Sequence, residues 1–573
     1  MTTTTLSRTR SRTRAGAKLD IGTKITLVSA FLILIALVII PLVNIFKYSF
    51  QPGGTEILRE VFTSFVKRQI VLNTVWLGIS VGFVGTLIGF LLAYAQVRVK
   101  FRGKRILHVI SLVPLISPPF AFATAVLILF GRSGFITRDL LGMTPTLYGY
   151  PGLMIALTLS YFPLPYPTLL GMLKNLDPSM EEASASLGAS KFRTFWRVTF
   201  PLLLPGIASS FLLLFVETIA DLANPLVIGG DYMVLSSRAY IAIAGEYNVA
   251  AGAAYSMLLL VPGLLVFVFQ RKLAGKANVV TVTGKPSGQI AYINNKVGKG
   301  LLISLPVFMA SFIVLIYGTV IAGGFTKLLG VDNSFSLDHF KYVLTGVGNM
   351  ALYKTSLMAS IATPIAGIMG MLLAWLIVRK LRRGKDLLDW MGMLGIAVPG
   401  TVLGIGYAIT YNHPLKLGSL TWMVQLAGGA AVFGGGIAII MVYTIRSIPA
   451  GLRSGVASLQ QINPAIDEAS ASLGASGLKT FAKITLPLIR GALLTGLMFA
   501  FARSMTTLSP IIFIHTPATP IMTAKILAEV DSGRFGNAFA FCLLLIGLVL
   551  IVMGLINVVI KKLGGTVETG AVQ

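Results

Sequence analysis

Cysteine, histidine and charged residues are scarce in this chain of 573 residues. Cys542 is the single cysteine and lies inside an apolar run, so an intramolecular disulfide is excluded. The four histidines are scattered and show no metal-ligand spacing, so we expect no metal site. Only 12% of the residues are charged and 55% are hydrophobic, which argues against a soluble globular protein.

Acidic residues are fewer still, with 20 Asp and Glu against 47 Lys and Arg and a net charge of +27. Such an excess could suggest nucleic-acid binding. In a membrane protein, however, basic residues gather in the cytoplasmic loops. We therefore expect membrane lipid as a partner and no nucleic acid.

Long apolar runs are what the chain has in abundance. A membrane-spanning helix needs about 20 mostly apolar residues. The runs are continuously apolar rather than alternating, so we predict helices and not a β-barrel. The fold class is therefore an all-α integral membrane protein with about twelve spans. The predicted spans are 25–46, 71–96, 106–130, 153–173, 202–225, 250–270, 300–325, 351–378, 386–411, 422–444, 488–513 and 536–560.

Basic clusters predict how the chain is divided and oriented. They follow the second, eighth and last spans and fill the segment 271–299, which contains no acid. By the positive-inside rule this side is cytoplasmic, with both termini inside. The run 25–46 is longer than the apolar core of a signal peptide, so it is interpreted as a retained span. The predicted units are a basic tail 1–24, six-span domains 25–270 and 300–562, a cytoplasmic linker 271–299 and a tail 563–573.

One polar loop occurs twice. Residues Glu182–Ser190 and Glu468–Ser476 are identical over nine positions at an offset of 286. Six spans separate the copies, and because six is even, both face the same side. The halves are therefore predicted to be parallel repeats related by a pseudo-two-fold axis along the membrane normal.

The loop sequence predicts a helix, a turn and a second helix lying on the cytoplasmic face. Asp177 and Asn463 suit helix N-caps, and each is followed by proline at the first helical position. Gly188 and Gly474 suit a helix end with positive φ. A merely duplicated surface loop would be expected to diverge as far as the spans have. A partner with two equivalent docking sites explains the retained identity.

At this loop the sequence resembles the permease subunits of bacterial binding-protein-dependent ABC importers of the type I fold. The family motif appears as Glu182-Ala183-Ser184, Gly188 and a later Pro201, and again as Glu468-Ala469-Ser470, Gly474 and Pro487. Ser184 and Ser470 stand where the motif has a second alanine. Two permease domains on one chain are most similar to the fused permeases of ferric iron importers. Fused 2-aminoethylphosphonate and thiamine permeases are near alternatives.

The resemblance implies a set of partners. The first short helix of each loop would be a coupling helix, so that two copies of a cytoplasmic ABC ATPase dock on the chain and carry ATP and Mg. A periplasmic or lipoprotein binding protein would deliver the substrate at the bacterial cytoplasmic (inner) membrane. No G-x-x-x-x-G-K-[ST] motif occurs, so the chain is expected to be no enzyme and to bind no cofactor itself. The ATPase-coupling residues are Glu182, Ala183, Ser184, Gly188, Glu468, Ala469, Ser470 and Gly474.

Charges inside predicted spans indicate where the pathway lies, because ionisable residues in a membrane are costly. Glu217 and Arg503 correspond at the 286 offset, and we hypothesise an ion pair across the two halves that serves as a gate. Each charge could instead face water or a local backbone group. Asp221, Asn224, Thr506 and Thr507 are further candidates for lining the pathway, although helix–helix hydrogen bonds would explain them equally well.

Two other functions compete with the importer. A twelve-span secondary transporter would need midplane ion sites, for which the sequence offers few buried acids, and it gives no reason for paired loops. A membrane enzyme would need a catalytic constellation that the sequence does not show. Dependence of uptake on an ATPase, rather than on the proton gradient, separates the importer from the secondary transporter.

Overall fold

The computed structural model describes residues 20–562 except 119, 275–291, 294 and 418–419. Most of the predicted linker 271–299, the predicted tail 563–573 and residues 1–19 of the predicted basic tail lie outside these residues. The first helix begins at Ile21, four residues earlier than predicted. Asp20 caps it by accepting a hydrogen bond from the backbone N–H of Thr23 at 3.2 Å.

Within the described residues, nine helices are long and apolar enough to cross a membrane, and three bent helix pairs raise the number to twelve. We number them in chain order. Spans 1 to 6 are Ile21–Ser49, Phe65–Arg98, Phe120–Leu140, Tyr150–Tyr161 with Pro165–Asn175, Lys191–Ala220 and Val249–Leu273. Spans 7 to 12 are Lys296–Phe325, Gly348–Lys380, Lys385–Ala397 with Gly400–Tyr411, Val432–Gln461, Gly477–Leu488 with Arg490–Thr506, and Phe535–Lys562.

The bends lie in spans 4, 9 and 11, where the two helices meet at 49°, 98° and 80°. Pro165 follows the first break and Pro399 lies within the second. Proline lacks the N–H that would continue the backbone ladder, so a helix stops there readily. Non-helical backbone at membrane depth is tolerated where protein or a cavity surrounds it. We therefore expect the backbone polar groups left unpaired at these bends to lie inside the protein and not against lipid.

Four predicted spans are wrong in their bounds. The runs 202–225 and 488–513 begin and end too late, because span 5 is Lys191–Ala220 and span 11 is Gly477–Leu488 with Arg490–Thr506. The run 106–130 is broken into Lys104–Leu112, the 3-10 turn Val113–Ile116 and Phe120–Phe130. The run 422–444 is only half helical, because a hairpin and a glycine-rich turn occupy its start and the helix runs over Gly436–Gln461. Gly434 and Gly435 have φ of 60° and 87°, a conformation that ends a helix or precedes one.

Short elements connect the spans. The described part of the chain contains two antiparallel hairpins, Thr326–Leu328 with Asp332–Phe335 and Leu415–Leu417 with Leu420–Met423. Besides Lys104–Leu112, the short helices described outside the spans are Gly54–Thr63, Pro178–Ser186, Ala223–Ile228, Leu235–Tyr240, Asp338–Leu344, Ala465–Ser472 and Met522–Asp531, with a 3-10 turn Ile511–Phe513. Five-residue π-helical segments occur at Ile35–Ile39, Phe195–Thr199, Ile241–Gly245, Leu376–Lys380 and Phe481–Thr485, and a six-residue segment at Phe135–Leu140.

The first span of each half packs against the other half. The Tyr407 hydroxyl of span 9 donates to the Leu37 carbonyl of span 1 at 2.8 Å. Conversely, span 7 of the second half packs against the first half. Its Tyr317 makes a 2.5 Å hydroxyl–hydroxyl hydrogen bond to Ser117 and an edge-on ring contact with Phe122. Each half thus packs its first span against the other half. The predicted domains 25–270 and 300–562 do not show this exchange.

Candidate functional site

Each repeated loop folds into a short helix that ends in a glycine turn. The first is Pro178–Ser186, where Asp177 caps the N-terminus by accepting from the Ser179 N–H at 3.0 Å. Gly188 has a φ of 80°, and the Ala189 N–H reaches back to the Ser184 carbonyl at 3.1 Å. This six-to-one hydrogen bond closes the helix end and turns the chain toward a second helix at Lys191.

The second loop repeats the same backbone. Its helix is Ala465–Ser472, one residue shorter at its start than predicted, because Pro464 takes the cap position. The Asn463 side chain still accepts from the Ala465 N–H at 3.0 Å, as an N-cap does. Gly474 has a φ of 78°, and Ala475 donates to Ser470 at 3.1 Å. The positive-φ turns predicted at both glycines are confirmed.

The serines that depart from the family motif hold the loop together. The Ser184 hydroxyl lies 2.9 Å from that of Thr194, and the Ser470 hydroxyl lies 2.8 Å from that of Thr480. Each hydrogen bond joins the first short helix to the second. Alanine at these positions would leave the threonine hydroxyl without this partner, so serine adds rigidity to the turn.

An acidic residue just before each identical stretch anchors the loop to an earlier span of the same half. Glu181 forms an ion pair with Arg98 at the end of span 2 and accepts from the Thr199 hydroxyl at 2.6 Å. Asp467 lies 3.1 Å from the Nε of Arg379 at the end of span 8, and Thr485 donates to it at 3.3 Å. Sequence analysis missed this anchor because each arginine lies more than 80 residues from its acidic partner.

The faces of the two helices that point away from the bundle are exposed. Glu182 and Ala183 are exposed, as are Glu468 and Ala469 at the equivalent positions. Leu187 and Leu473, at the C-terminal end of the two helices, are each 89% exposed. The two copies thus present the same exposed leucine at the same place.

Both loops lie at the same end of the molecule. The first is held at the C-terminal end of span 2 and the second at the C-terminal end of span 8. The end of span 6 reaches the start of span 9 there through an Arg271–Asp389 ion pair of 2.5 Å. The backbone N–H of Ile293, just before span 7, bonds to the Arg98 carbonyl at 2.9 Å. The predicted parallel arrangement of the halves agrees with these contacts.

A second feature is a cavity of about 360 Å³ between the halves. Spans 5 and 11 both line it, and both helices break beside it, at Asp221 and Thr507. The backbone there is nearly the same in the two copies, with φ and ψ of −68° and 134° at Asp221 and −71° and 123° at Thr507. Broken helices at the interface of two repeats are a common setting for transporter substrate sites.

Glu217 and Arg503 meet across this cavity. Arg503 Nη2 lies 3.1 Å from Glu217 Oε1. The Arg503 side chain is 32% exposed and the Glu217 side chain is 14% exposed. The structure thus brings together the two residues that the 286 offset paired. Whether the pair acts as a gate remains a prediction.

Asp221 and Asn224 form a cap beside the cavity and do not lie within a continuous span as predicted. Asp221 accepts from the Asn224 N–H at 2.9 Å, from its side-chain amide at 3.1 Å and from the Tyr161 hydroxyl at 2.5 Å. Asp221 lines the cavity, whereas Asn224 is fully buried behind it. Thr506 and Thr507 line the opposite side, and both hydroxyls donate to backbone carbonyls of their own helix.

Arg446 was missed by the sequence analysis, although it too lines the cavity. It interrupts the apolar stretch "MVYTIRSIPA" of span 10, which is the same signal that identified Glu217 and Arg503. Its Nη1 lies 3.5 Å from the Gly395 carbonyl. Among the described residues, no group of three or more His, Cys, Asp or Glu side chains is placed to hold a metal ion.

Comparison with known proteins identifies the family. Residues 85–279 and 362–564 each match the family described as "Binding-protein-dependent transport system inner membrane component". The chain belongs to this family. It is a membrane-spanning permease of a bacterial transport system, with the type I permease domain present twice. Both matches begin within spans 2 and 8, so the exchanged first spans lie outside them.

Three relatives illustrate the range of this family. The chain is 35% identical over 546 residues to the "Ferric transport system permease protein FbpB" of Actinobacillus pleuropneumoniae, covering 93% of this chain and 77% of that protein. It is 26% identical over 537 residues to the "Fe(3+)-transport system permease protein FbpB 2" of Haemophilus influenzae, covering 90% and 95%. The chain is 32% identical over 196 residues to the "Sulfate transport system permease protein CysT" of Salmonella typhimurium, covering 33% of this chain and 69% of that protein.

Proposed function

We propose that this permease forms the membrane pathway of an ATP-driven importer of ferric iron. It is a transporter subunit and not an enzyme. Two copies of a cytoplasmic ABC ATPase dock on its two loops, bind ATP and Mg, and drive the halves between an outward-open and an inward-open arrangement. A periplasmic or lipoprotein binding protein delivers the iron, and both termini lie in the cytoplasm.

The observation that carries this proposal is the pair of equivalent, exposed and anchored loop helices. Each presents Glu182 or Glu468 and an exposed leucine outward, while Arg98 or Arg379 holds its base. A docking helix must be exposed to reach its partner and fixed to the bundle to transmit force. The ferric assignment is supported by the names of relatives that match most of the chain.

Co-purification with the ATPase tests the docking loops. We expect the variant carrying Glu182→Arg and Glu468→Arg to lose the ATPase while remaining in the membrane and folded. The matched control carries Glu56→Arg and Asp332→Arg. These exposed acids also lie one in each half, but they precede spans 2 and 8 and so are at the opposite end of the bundle. Equal ATPase recovery with the loop variant would contradict the proposal.

Uptake of radioactive ferric iron by cells expressing the complete system tests the substrate. We expect uptake that requires ATP hydrolysis and persists when the proton gradient alone is collapsed. Uptake of 2-aminoethylphosphonate or thiamine in place of iron would move the assignment to those solutes. Loss of uptake on collapse of the gradient, with no ATPase bound, would favour a secondary transporter.

A further inference from the structure

Two residues at turns outside the cavity adopt a backbone conformation that their side chains disfavour. Among the described residues, Tyr247 and Phe433 are the only non-glycine residues with positive φ, at 54° and 55°. A left-handed backbone brings Cβ too close to the following carbonyl oxygen, so residues with a bulky side chain seldom adopt it. Tyr247 is 86% exposed and Phe433 is 79% exposed, so packing within the chain does not offset this cost.

The second half shows which residue the turn at Tyr247 favours. At the 286 offset Tyr247 corresponds to Gly533, which has a φ of 72°. In each copy the next backbone N–H, that of Asn248 or Arg534, bonds to a carbonyl of the preceding helical segment at 2.8 Å. Glycine is the residue that such a helix end favours. An exposed tyrosine in its place indicates a function for the ring outside the chain.

Phe433 is displayed from a turn that is fixed to the rest of the second half. Gly434 and Gly435 continue the left-handed turn, with φ of 60° and 87°. The hydroxyls of Thr516 and Thr519 both donate to the Gly434 carbonyl, at 2.8 and 2.9 Å. These hydrogen bonds hold the turn on the segment that follows span 11. The position of the ring is therefore set before any partner binds.

Tyr247 also has a fixed base. It lies directly before span 6, which Asn248 caps by accepting from the Ala251 N–H at 2.9 Å. The neighbouring Glu246 forms an ion pair of 2.7 Å with Arg238, and its side chain is 46% exposed. An exposed charge next to the ring indicates that water, and not lipid, surrounds this turn.

Both rings lie at the end of the bundle opposite the docking loops. Tyr247 comes just before span 6 and Phe433 is at the start of span 10, and both spans end on the side of the loops. One ring belongs to the first half and the other to the second, so a partner that covers both rings contacts both halves at once. The family of this chain depends on a binding protein, which in the proposed function approaches from this end.

Each ring is also connected to a segment that lines the cavity. Ser236, on the short helix that leads to the first ring, donates to the Asp221 carbonyl at 2.6 Å. Thr523, just beyond the segment that holds the turn of the second ring, donates to the Thr507 carbonyl at 3.0 Å. Asp221 and Thr507 correspond at the 286 offset, and both line the cavity. Contact with lipid does not account for this connection, whereas a partner that delivers substrate to the cavity does.

We propose that Tyr247 and Phe433 are two anchors, one in each half, on which the substrate-binding protein docks. The proposal rests on the proposed importer function and adds the residues that recognise this partner. Aromatic residues are enriched in protein interfaces, and rings on rigid backbone supply contact area at a low cost in conformational entropy. Because the halves move against each other in the proposed cycle, a partner held on both rings binds one arrangement of the halves better than the other.

Binding of the purified, fluorescently labelled binding protein to the transporter in nanodiscs, with its ATPase present, tests this proposal. Tyr247→Gly and Phe433→Gly each remove a ring and give the turn the residue that it favours. We expect the double variant to bind the binding protein at least tenfold more weakly and to lose its stimulation of ATP hydrolysis. The thermal midpoint should not fall, and basal ATP hydrolysis should be unchanged. A loss of binding without a loss of stability cannot come from unfolding.

Further variants separate the ring from the backbone. Tyr247→Ala plus Phe433→Ala removes both rings but keeps the unfavourable φ, and it should lose binding to the same extent as the glycine variant. Tyr247→Phe, which keeps a ring, should retain most of the binding. The matched control is Phe62→Ala. Phe62 is 81% exposed at the same end of the bundle, but it lies in the ordinary helix Gly54–Thr63, so this change should leave binding unchanged.

The outcomes separate this inference from the proposed function. Binding by the double glycine variant equal to that of the wild type overturns the inference alone and leaves the rings as contacts of lipid head groups. An equal loss with Phe62→Ala also overturns it, because binding would then not depend on these two positions. Absence of binding by the wild type overturns the proposed importer function as well. A cargo other than iron leaves the inference standing, because docking is measured without transport.

Discussion

At the residue scale, the ion pair between Glu217 and Arg503 can be tested by reversing the two charges. The pair is partly buried, with Glu217 14% and Arg503 32% exposed, so reversing one charge places two like charges close together where water screens them only in part. We expect Glu217→Arg and Arg503→Glu each to reduce iron uptake at least tenfold. The double variant, which restores opposite charges across the halves, should recover most of the uptake.

An exposed ion pair provides the control for this charge swap. Lys327 and Asp332 lie 3.9 Å apart and are each about half exposed. Pairs of this kind contribute little, about 0–1 kcal/mol. Reversal of Asp332 should therefore change uptake less than twofold. Failure of the double variant to recover would show that the two charges act separately, each with a partner of its own.

Glu529 is the second residue with a measurable role, and it lies on the short helix Met522–Asp531, outside the spans. Burial raises its pKa, but hydrogen bonds from Arg534, Asn537, Tyr342 and Lys525 outweigh this and hold the pKa at about 2. Because the pKa is lowered on folding, the ionised carboxylate stabilises the folded state at every pH above its ordinary pKa of about 4.3. This stabilisation is lost as the pH falls through about 2. We expect Glu529→Gln to lower the thermal midpoint by the same amount from pH 5 to pH 8. A difference that vanishes at pH 5 would contradict the lowered pKa.

At the element scale, the loops test how far sequence alone determines local structure. The caps, the positive-φ glycines and the starts of the second helices followed from residue type, because each is a local preference. The anchors Arg98 and Arg379 did not, since they lie more than 80 residues from their acidic partners in sequence. Arg446 could have been predicted by the rule that identified Arg503. Its nearness to Glu217 could not, because that depends on how spans 5 and 10 pack.

The spans show a similar division. Hydropathy finds segments that prefer lipid or protein interior to water, and it found about twelve. It does not report backbone conformation, so neither the 98° size of the bend in span 9 nor the hairpin ahead of span 10 followed from it.

The glycine turns give the prediction at this scale. An added Cβ at Gly188 or Gly474 would meet nothing within 4 Å, so Gly→Ala changes only the backbone preference. The left-handed conformation costs a non-glycine residue about 1–2 kcal/mol. We expect Gly188→Ala plus Gly474→Ala to weaken ATPase binding about fivefold or more in a titration of the purified permease.

A matched control separates strain from added bulk. Gly171 also has open space at its Cβ but lies inside the helix Pro165–Asn175 with ordinary φ. Gly171→Ala should leave ATPase binding unchanged. Asparagine tolerates the left-handed conformation better than alanine does, so Gly188→Asn should weaken binding less than Gly188→Ala. Equal effects of Ala at all three glycines would show that φ is not the cause.

At the scale of the whole molecule, the exchange of first spans makes each half depend on the other. Span 1 is held on span 9 by the Tyr407 and Asn44 hydrogen bonds, and span 7 is held on the first half through Tyr317. The covalent link is then not needed to keep the halves together. The link would instead ensure that each transporter contains one half with acidic and one half with basic cavity residues. Two copies of the same half would give the cavity a single sign of charge.

We therefore expect fragments 1–285 and 286–573, expressed together, to co-purify and to retain iron uptake. Gly406→Leu tests the reason, since a Cβ at Gly406 already approaches Pro41 and Ile45 of span 1 at 3.0–3.1 Å. In the two-fragment form this variant should lower recovery of the partner fragment several-fold, whereas Gly554→Leu, which faces open space on span 12, should not. If Gly406→Leu recovers its partner as well as Gly554→Leu does, contact between spans 1 and 9 is not what joins the halves, and other contacts between them, such as that of Tyr317 with Ser117, must do so.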